Sequence, residues 1–281
     1  MDRPLIGIGI ITGTGFDDLK GLIDVFEGRR VDTPWGTVYV QEFEQGGVHL
    51  FHLNRHAAHA PLRDRKWRLP HYVDRDGNNR FLDPRPNIVA LAKLGVRRIL
   101  SATAVGTPQD LPVGSIVLPT DHRTPEFGIL TLAGENSRAQ FHQPKGKVFC
   151  GNPHGALVEA LHQRGLVSCA SGLLQITRGP GFESDADYEV LRREGVTIVG
   201  MHTAIPEAYC CHELGLCYTA AAIITDSLSH HPDQAEIERI GREVGRPLFG
   251  VLCDLAVTSA FPSPCTCTKH PVPGLLETLA A

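Results

Sequence analysis

The stretch TIVGMHTAIPEAYCCHELGLCYTAAAIITDS, residues 197–227, decides the fold. Thr197–Met201 is a short apolar run of strand character. Ile205–Leu214 has helical spacing and stops at Gly215, in the manner of a glycine-terminated helix. Leu216–Thr225 then returns as a strand rich in Ile, Ala and Thr. Strand, helix and strand in this order predict parallel strands covered by helices. The alternation extends outward. Leu5–Ile11 reads as a strand, and Thr37–Phe43 and Gly47–Leu53 as an antiparallel pair turning at Gln45-Gly46-Gly47. A helix over Asn87–Leu94, ended by Gly95, precedes strands at Arg98–Val105 and Ser115–Leu118. Pro153–Arg164 is a helix closed by Gly165, and Leu173–Thr177 is a strand. Ser184–Arg193 is a helix with acidic residues in its first turn and arginines in its last, matching the helix dipole. Ala235–Thr258 is a long helix in which Pro247 is expected to cause a kink. The expectation is an α/β fold: a mixed, largely parallel central sheet flanked by helices, in one domain over 1–281. Two segments depart from the pattern. Leu62–Pro86 is a long polar excursion, read as an insertion and a candidate lid. From about Phe261 the chain is rich in Pro and Cys and reads as an irregular tail.

The chain has 281 residues, 42% hydrophobic and 21% charged, with a formal net charge of −4. That balance gives no basic field for nucleic acid or a membrane surface. The apolar run at Leu5–Ile11 is broken by Gly7 and Gly9 and leads into Gly13-Thr14-Gly15, so it reads as a strand rather than a signal peptide. No stretch approaches the ~20 apolar residues of a membrane span. A cytoplasmic protein is expected, with its eight cysteines reduced: Cys150, Cys169, Cys210, Cys211, Cys217, Cys253, Cys265 and Cys267. Cys265-Thr-Cys267 reads as a pair of loop thiols, since zinc needs more ligands at compatible spacing. No metal site is assigned.

In open parallel sheets, ligands gather at the carboxyl ends of the strands, and five clusters fall there. Gly13-Thr14-Gly15 lacks the dinucleotide spacing, because position 18 is Asp18; it is either a tight turn or an anion seat. Asn54-Arg55-His56 is either a phosphate clamp or a surface pair. Ser101 through Gly106 ends a strand with small residues that let a ligand approach the backbone. Gly200-Met201-His202-Thr203 precedes Pro206-Glu207. Thr225-Asp226-Ser227 ends an apolar strand, where Asp226 either caps a helix or serves a ligand. The spacing of His52, His56 and His59 lacks an acidic or fourth ligand for a metal.

In their order along the chain, these clusters resemble the 5′-methylthioadenosine phosphorylase branch of the purine nucleoside phosphorylase family. Ile10-Ile-Thr-Gly-Thr14-Gly15 is similar to its opening Ile-Ile-Gly-Gly-Thr/Ser-Gly, and Thr33-Pro-Trp-Gly36 to its Thr-Pro-Phe-Gly. Arg55-His56 stands where it has Arg-His-Gly. Asn87-Ile88 through Gly95, Thr103-Ala104-Val-Gly106, Gly114 through Pro119, Gly179 through Glu183, and Gly200-Met201 with Pro206-Glu207 match further family runs. The resemblance implies phosphorolysis of the N-glycosidic bond of a purine nucleoside, 5′-methylthioadenosine or another 5′-modified or 5′-deoxy adenosine, by a pentosyltransferase. Inorganic phosphate is the co-substrate and no cofactor is required. It implies that Thr14, Arg55, His56, Thr103 and Ala104 hold phosphate. Met201 lies against the ribose, Phe182 packs on the base, and Asp226 binds and protonates the purine at N7. His142, from a neighbouring subunit, reaches the 5′ end of the sugar. It implies a homotrimer or a dimer of trimers with sites at subunit interfaces.

Four positions differ from the family runs. His202 replaces a phosphate-contacting Thr and is itself expected to bind phosphate, better when protonated, with Thr203 next to it as the residue that can take the place of the Thr. Leu228 replaces a second base-recognising Asp, a loss Glu183 can offset at the base edge. Gly181 replaces an Arg, and Ala57-Ala58 follows Arg55-His56 where the family has Gly. With the scaffold runs kept and site residues changed, a specialised relative acting on a modified nucleoside is expected. The alternatives are a hydrolase or glycosyl transferase on the same fold, if His202 fills the phosphate seat, or an inactive nucleoside-binding relative.

Overall fold

The computed structural model of the protein describes residues 7–16, 28–56, 83–123, 131–133, 148–166, 168–177, 182–201, 204–258, 265–269 and 271–280. Among the described residues nine strands form one sheet: β1 (Gly7–Thr12), β2 (Arg29–Thr33), β3 (Gly36–Gln45), β4 (Val48–Asn54), β5 (Val96–Thr107), β6 (Ile116–Arg123), β7 (Ser168–Thr177), β8 (Ile198–Met201) and β9 (Cys217–Ser227). Their order is β2-β3-β4-β1-β5-β8-β7-β6-β9. β9 returns to pair in parallel with β5, from Arg98↔Cys217 to Thr107↔Ser227. The strands β5, β8, β7, β6 and β9 therefore close into a ring, and β4, β1 and the β2–β3 hairpin extend from it as an open wing. The sheet is mixed, as expected. β1–β4, β1–β5, β5–β9, β6–β7 and β7–β8 are parallel, and β2–β3, β3–β4, β5–β8 and β6–β9 are antiparallel.

Side chains alternate across a strand with period two, and in β9 both faces are buried. Ala220, Ala222 and Ile224 enter one core, while Ala221 and Ile223 enter the other. The first core is covered by α1 (Arg85–Lys93), α4 (Ile205–Glu213) and α6 (Leu275–Ala280), which bring Ile88, Leu91, Ile205, Ala208 and Leu276 to the sheet. The second is covered by α2 (His154–Gln163) and α5 (Gln234–Val257) through Leu157, Leu161, Leu248, Phe249 and Leu252. The alanine-rich run in β9 thus lies between helical layers and reads as a continuous apolar strand for that reason.

Local chemistry sets the helix ends. α3 (Asp185–Arg193) begins with a capping box: Ser184 accepts from the Asp187 N–H, and Asp187 returns the bond to the Ser184 N–H. α5 begins at Asp233, whose carboxylate accepts from the Glu236 N–H at 2.8 Å. Pro247 lies inside α5. The backbone of α5 passes close to the turn after β1. Gly15, at φ 86°, meets Gly241, and a side-chain carbon on Gly15 would strike the Gly241 backbone.

Two readings change. The tail from 261 is not irregular throughout: a 3₁₀ turn spans Thr266–Lys269 and α6 spans Leu275–Ala280, with Leu275, Leu276 and Leu279 packed on the first core. The polar excursion read as Leu62–Pro86 ends sooner, because Arg85 and Pro86 open α1. Its earlier part lies outside the described residues, as does a lid role for it. Among the described residues no helix is long and apolar enough to cross a membrane, and all eight cysteines are free thiols.

Asp233→Ala removes the side-chain cap of α5 and is expected to lower stability by about 1 kcal/mol, read as a shift in the urea midpoint at unchanged slope.

Candidate functional site

A cleft opens where the strand ends converge. Its walls come from the turn after β1 (Thr14), the exit of β4 (Arg55, His56), the end of β5 (Thr103, Ala104, Val105, Gly106), Thr177 at the end of β7, Met201 at the end of β8, and Thr225 and Asp226 near the end of β9. Phe182 and Glu183, just ahead of α3, and Ile237 of α5 complete it. The structure thus gathers Thr14, Arg55, His56, Thr103, Ala104, Phe182, Glu183, Met201 and Asp226 around one space, as the sequence suggested. Leu228 is the exception among the described candidates. Named in the sequence as a nucleoside-contact position, it packs on Tyr188, Val196 and Val199 and is not among the residues lining the cleft. His142, His202, Thr203 and Gly181 lie outside the described residues.

Asp226 owes its position to a backbone irregularity. Val105 pairs with Ile224, but the next residue, Gly106, pairs with Asp226, so Thr225 is an extra residue in β9. A bulge of this kind re-aims the side chains around it. One carboxylate oxygen of Asp226 accepts from the Tyr188 hydroxyl at 2.7 Å, and the other from the Thr225 hydroxyl at 3.0 Å. Gly106 leaves room for this arrangement, since a side-chain carbon there would collide with the Asp226 carboxylate and the Tyr188 hydroxyl. Burial, with the Asp226 charge beside it, pushes the Tyr188 hydroxyl far above its usual range. Tyr188 therefore stays a proton donor. Asp226 is a cleft residue and not a helix cap.

Glu183 stands nearby with its carboxyl raised above the usual range. Burial is the main cause, and the charge of Asp226 adds to it. Two acids thus face the cleft in unlike surroundings. Asp226 accepts two hydroxyl hydrogen bonds, and Glu183 keeps its proton to higher pH than an ordinary glutamate.

At the other wall, Arg55 is fully buried and not part of a surface pair. Its Nε donates to Glu207 at 2.7 Å and its Nη2 to the other oxygen of Glu207 at 3.2 Å. Nη2 also donates to Ser101 Oγ and Nη1 to the Ala102 carbonyl, each at 2.8 Å. Glu207 further accepts from the hydroxyls of Ser101 and Tyr218. Burial works against the Arg55 charge, but the Glu207 carboxylate outweighs it and holds the guanidinium above its ordinary range. The clamp suggested by the sequence is thus mostly committed to protein partners. Arg55 gives the cleft a rigid floor, its charge balanced by Glu207. His56 Nε2 lies 3.4 Å from Thr14 Oγ1, joining the two turns at the cleft mouth. His52 is buried between Thr12 and Gln41, with a ring nitrogen within hydrogen-bond reach of each.

Two residues here were not singled out in the sequence, Tyr188 and the Glu207 carboxylate. Both left a signal. Tyr188 is an aromatic in an otherwise polar helix, and Glu207 is an acid in a helix of small and apolar residues, where a buried charge demands a partner. Beside them Ala204, the N-cap of α4, adopts φ 58°. A non-glycine residue in that region stores about 1–3 kcal/mol of strain, a feature that clusters at functional sites. Glu207→Ala leaves the Arg55 guanidinium buried and unpaired. A loss of about 3–5 kcal/mol in stability is expected, measured by urea unfolding, with a smaller loss for Glu207→Gln, which keeps an acceptor oxygen.

With this geometry in place, likeness to known proteins becomes informative. The sequence profile of the phosphorylase superfamily matches residues 84–255, from the start of α1 to near the end of α5. The chain is 32% identical over 228 residues to a probable 6-oxopurine nucleoside phosphorylase of Thermococcus kodakarensis, covering 78% of each protein. It is 32% identical over 238 residues to an S-methyl-5′-thioadenosine phosphorylase of Geobacter sulfurreducens, covering 82% of this chain and 76% of that protein. Among solved structures, a methylthioadenosine phosphorylase from Schistosoma mansoni in complex with adenine superposes with a TM-score of 0.75 at 25% identity, over 89% of this chain and 90% of that one. The profile spans the strands that carry most of the cleft, and the matched relatives extend the likeness over most of the chain: the protein belongs to the phosphorylase superfamily.

Proposed function

We propose that this protein cleaves the N-glycosidic bond of a purine nucleoside with inorganic phosphate, giving free base and sugar 1-phosphate, as a pentosyltransferase. The observation that supports the reading is that one cleft gathers Thr14, His56, Thr103 and Ala104 with the hydrogen-bonded carboxyl group of Asp226. The relatives and the solved structure it resembles carry the names of purine and methylthioadenosine phosphorylases, in agreement.

In the proposed reaction the bond from C1′ to N9 breaks and its electron pair leaves with the base. Asp226 acts in its protonated form: its O–H donates to N7, and the proton passes to the departing purine and leaves the carboxylate behind. Tyr188 and Thr225 position that carboxyl group. Phe182 packs on the base, Glu183 meets its edge, and Met201 lies under the ribose. Phosphate sits against Thr14, His56, Thr103 and Ala104, with the Arg55 charge behind them. Its negative charge stabilises the cationic sugar before one of its oxygens bonds to C1′. No organic cofactor enters this scheme. The base is a 6-aminopurine and the 5′ group is altered or absent. Phe182 is 56% exposed although it lines the cleft. That supports a site closed by a neighbouring subunit in a trimer, with His142 as the lent residue. Free thiols suit a reducing compartment, and we place the protein in the cytoplasm.

Base release from adenosine, inosine, 5′-methylthioadenosine and 5′-deoxyadenosine, with and without phosphate, tests the reading. Strict phosphate dependence, with the 5′-altered adenosines preferred, is the expected result; equal release in its absence indicates a hydrolase. Asp226→Asn should lower kcat by about 10²–10⁴-fold. Tyr188→Phe should cost roughly tenfold, the worth of one hydrogen bond of about 1.4 kcal/mol, with little change in KM. Because the Glu183 carboxyl is raised, it loses its proton above the ordinary range of ~4.3. As pH rises through the raised Glu183 range, a negative charge appears there, beside the Asp226 carboxyl group. kcat/KM should fall on that limb, and Glu183→Gln should flatten it.

A further inference from the structure

Far from the cleft, four cysteines meet. Cys150, Cys217, Cys265 and Cys267 place their sulfur atoms within 4.8 Å of one another. Cys150, Cys217 and Cys267 are buried and Cys265 is half-buried. The Cys150 and Cys265 sulfurs are 3.3 Å apart, well beyond the ~2.05 Å of a disulfide. A tetrahedral zinc with Zn–S bonds of ~2.3 Å sets its sulfurs ~3.8 Å apart, so four thiolates can surround the ion with small adjustments.

The three segments that supply these sulfurs are fixed by other bonds. The Cys150 N–H donates to the Tyr218 carbonyl at 2.7 Å, and the Thr219 hydroxyl to the Cys150 carbonyl at 3.0 Å. That ties residue 150 to the start of β9, where Cys217 is the first residue. Cys265 and Cys267 come from the 3₁₀ turn, and the Cys267 N–H points at the Cys265 sulfur at 3.4 Å. The Asn152 backbone N–H also donates to the Cys150 sulfur. Such N–H donors are what a charged thiolate set needs around it. Read in the sequence, Cys265-Thr-Cys267 lacked further ligands; the fold supplies them from positions 48 and 115 residues or more upstream.

We propose that these four cysteines form a tetrathiolate zinc site that fastens the C-terminal segment to the amino end of β9. Binding replaces four S–H bonds with four Zn–S bonds and releases the protons to solvent. Four protein ligands leave no open position for substrate or water, so the role is structural. Asp226 is nine residues along the same strand, roughly 30 Å away at ~3.3 Å per residue. The metal therefore takes no part in glycosidic cleavage. What it holds is concrete. Beyond the 3₁₀ turn, the Val272 N–H bonds to the Glu213 carbonyl at 2.8 Å, and α6 lays its leucines on the first core.

The test is metal analysis of the full-length protein, purified without chelator and dialysed, together with intact mass under non-reducing conditions. About one zinc per chain is expected, displaced by a thiol-blocking mercurial and replaceable by cobalt(II) with a thiolate charge-transfer band. Cys265→Ser, the most exposed ligand and the least costly to fold, should weaken retention at least tenfold. Cys217→Ser should abolish it. Cys169→Ser, outside the cluster, should leave it unchanged. Stripping with chelator should lower Tm by more than about 5 °C, and zinc alone should restore it. A mass lower by two hydrogens per bridge, from Cys150 paired with Cys217 or Cys265, would overturn the proposal in favour of disulfides. So would four titratable thiols that bind no added zinc, or metal retained equally by the Cys217 and Cys265 variants.

Discussion

The cleft depends on one buried ion pair. Arg55 and Glu207 have almost no contact with solvent, and each is intolerable there without the other. The pair joins elements distant in sequence: the exit of β4, the Ser101–Ala102 step of β5, the first turn of α4 and, through its hydroxyl, Tyr218 of β9. A buried pair of this kind adds little net stability over well-packed apolar residues, but it penalises every arrangement that separates its members. It therefore selects one arrangement of four elements, and the walls that would face phosphate and base are set by those same elements.

The opposite wall uses a different device. Asp226 is directed by a bulge, held by two hydroxyls, and accommodated because residue 106 is glycine. These features come from separate strands and a separate helix, so the carboxyl group is oriented without a loop of its own. Glu183, its neighbour, sits ahead of α3 at the rim. The result is an acidic pair in which one member is rigidly positioned from below and the other is set by burial at the edge.

Much of this was legible in the sequence because the relevant signals are local. β9 and α4 announce themselves by apolar runs closed by glycine, and the small residues at the end of β5 mark a place where a backbone comes near something. What escaped notice was either weakly patterned or non-local. In β2 only Val31 reaches the core, and Arg29, Arg30 and Asp32 around it leave no apolar alternation to mark a strand. α6 is short and follows prolines, which hid it. Closure of the ring rests on β5 pairing with β9, more than a hundred residues later, and no periodicity reports such a match. Tyr188 went unremarked because its partner Asp226 lies 38 positions away. The readings at His142 and His202 rest on resemblance, since both fall outside the described residues.

Ring closure has one more consequence. A strand at the border of a sheet offers unpaired amide and carbonyl groups to any passing chain and so invites aggregation. Here β9 folds back onto β5, so among the described strands only β2 remains as a border. That strand is unsuited to recruitment. Arg29 is held by Glu42, Arg30 pairs with Asp32, and Lys93 from α1 donates to the Asp32 carbonyl at 2.9 Å. The charged residues that concealed β2 in the sequence are the ones that keep one molecule from adding its sheet to the next.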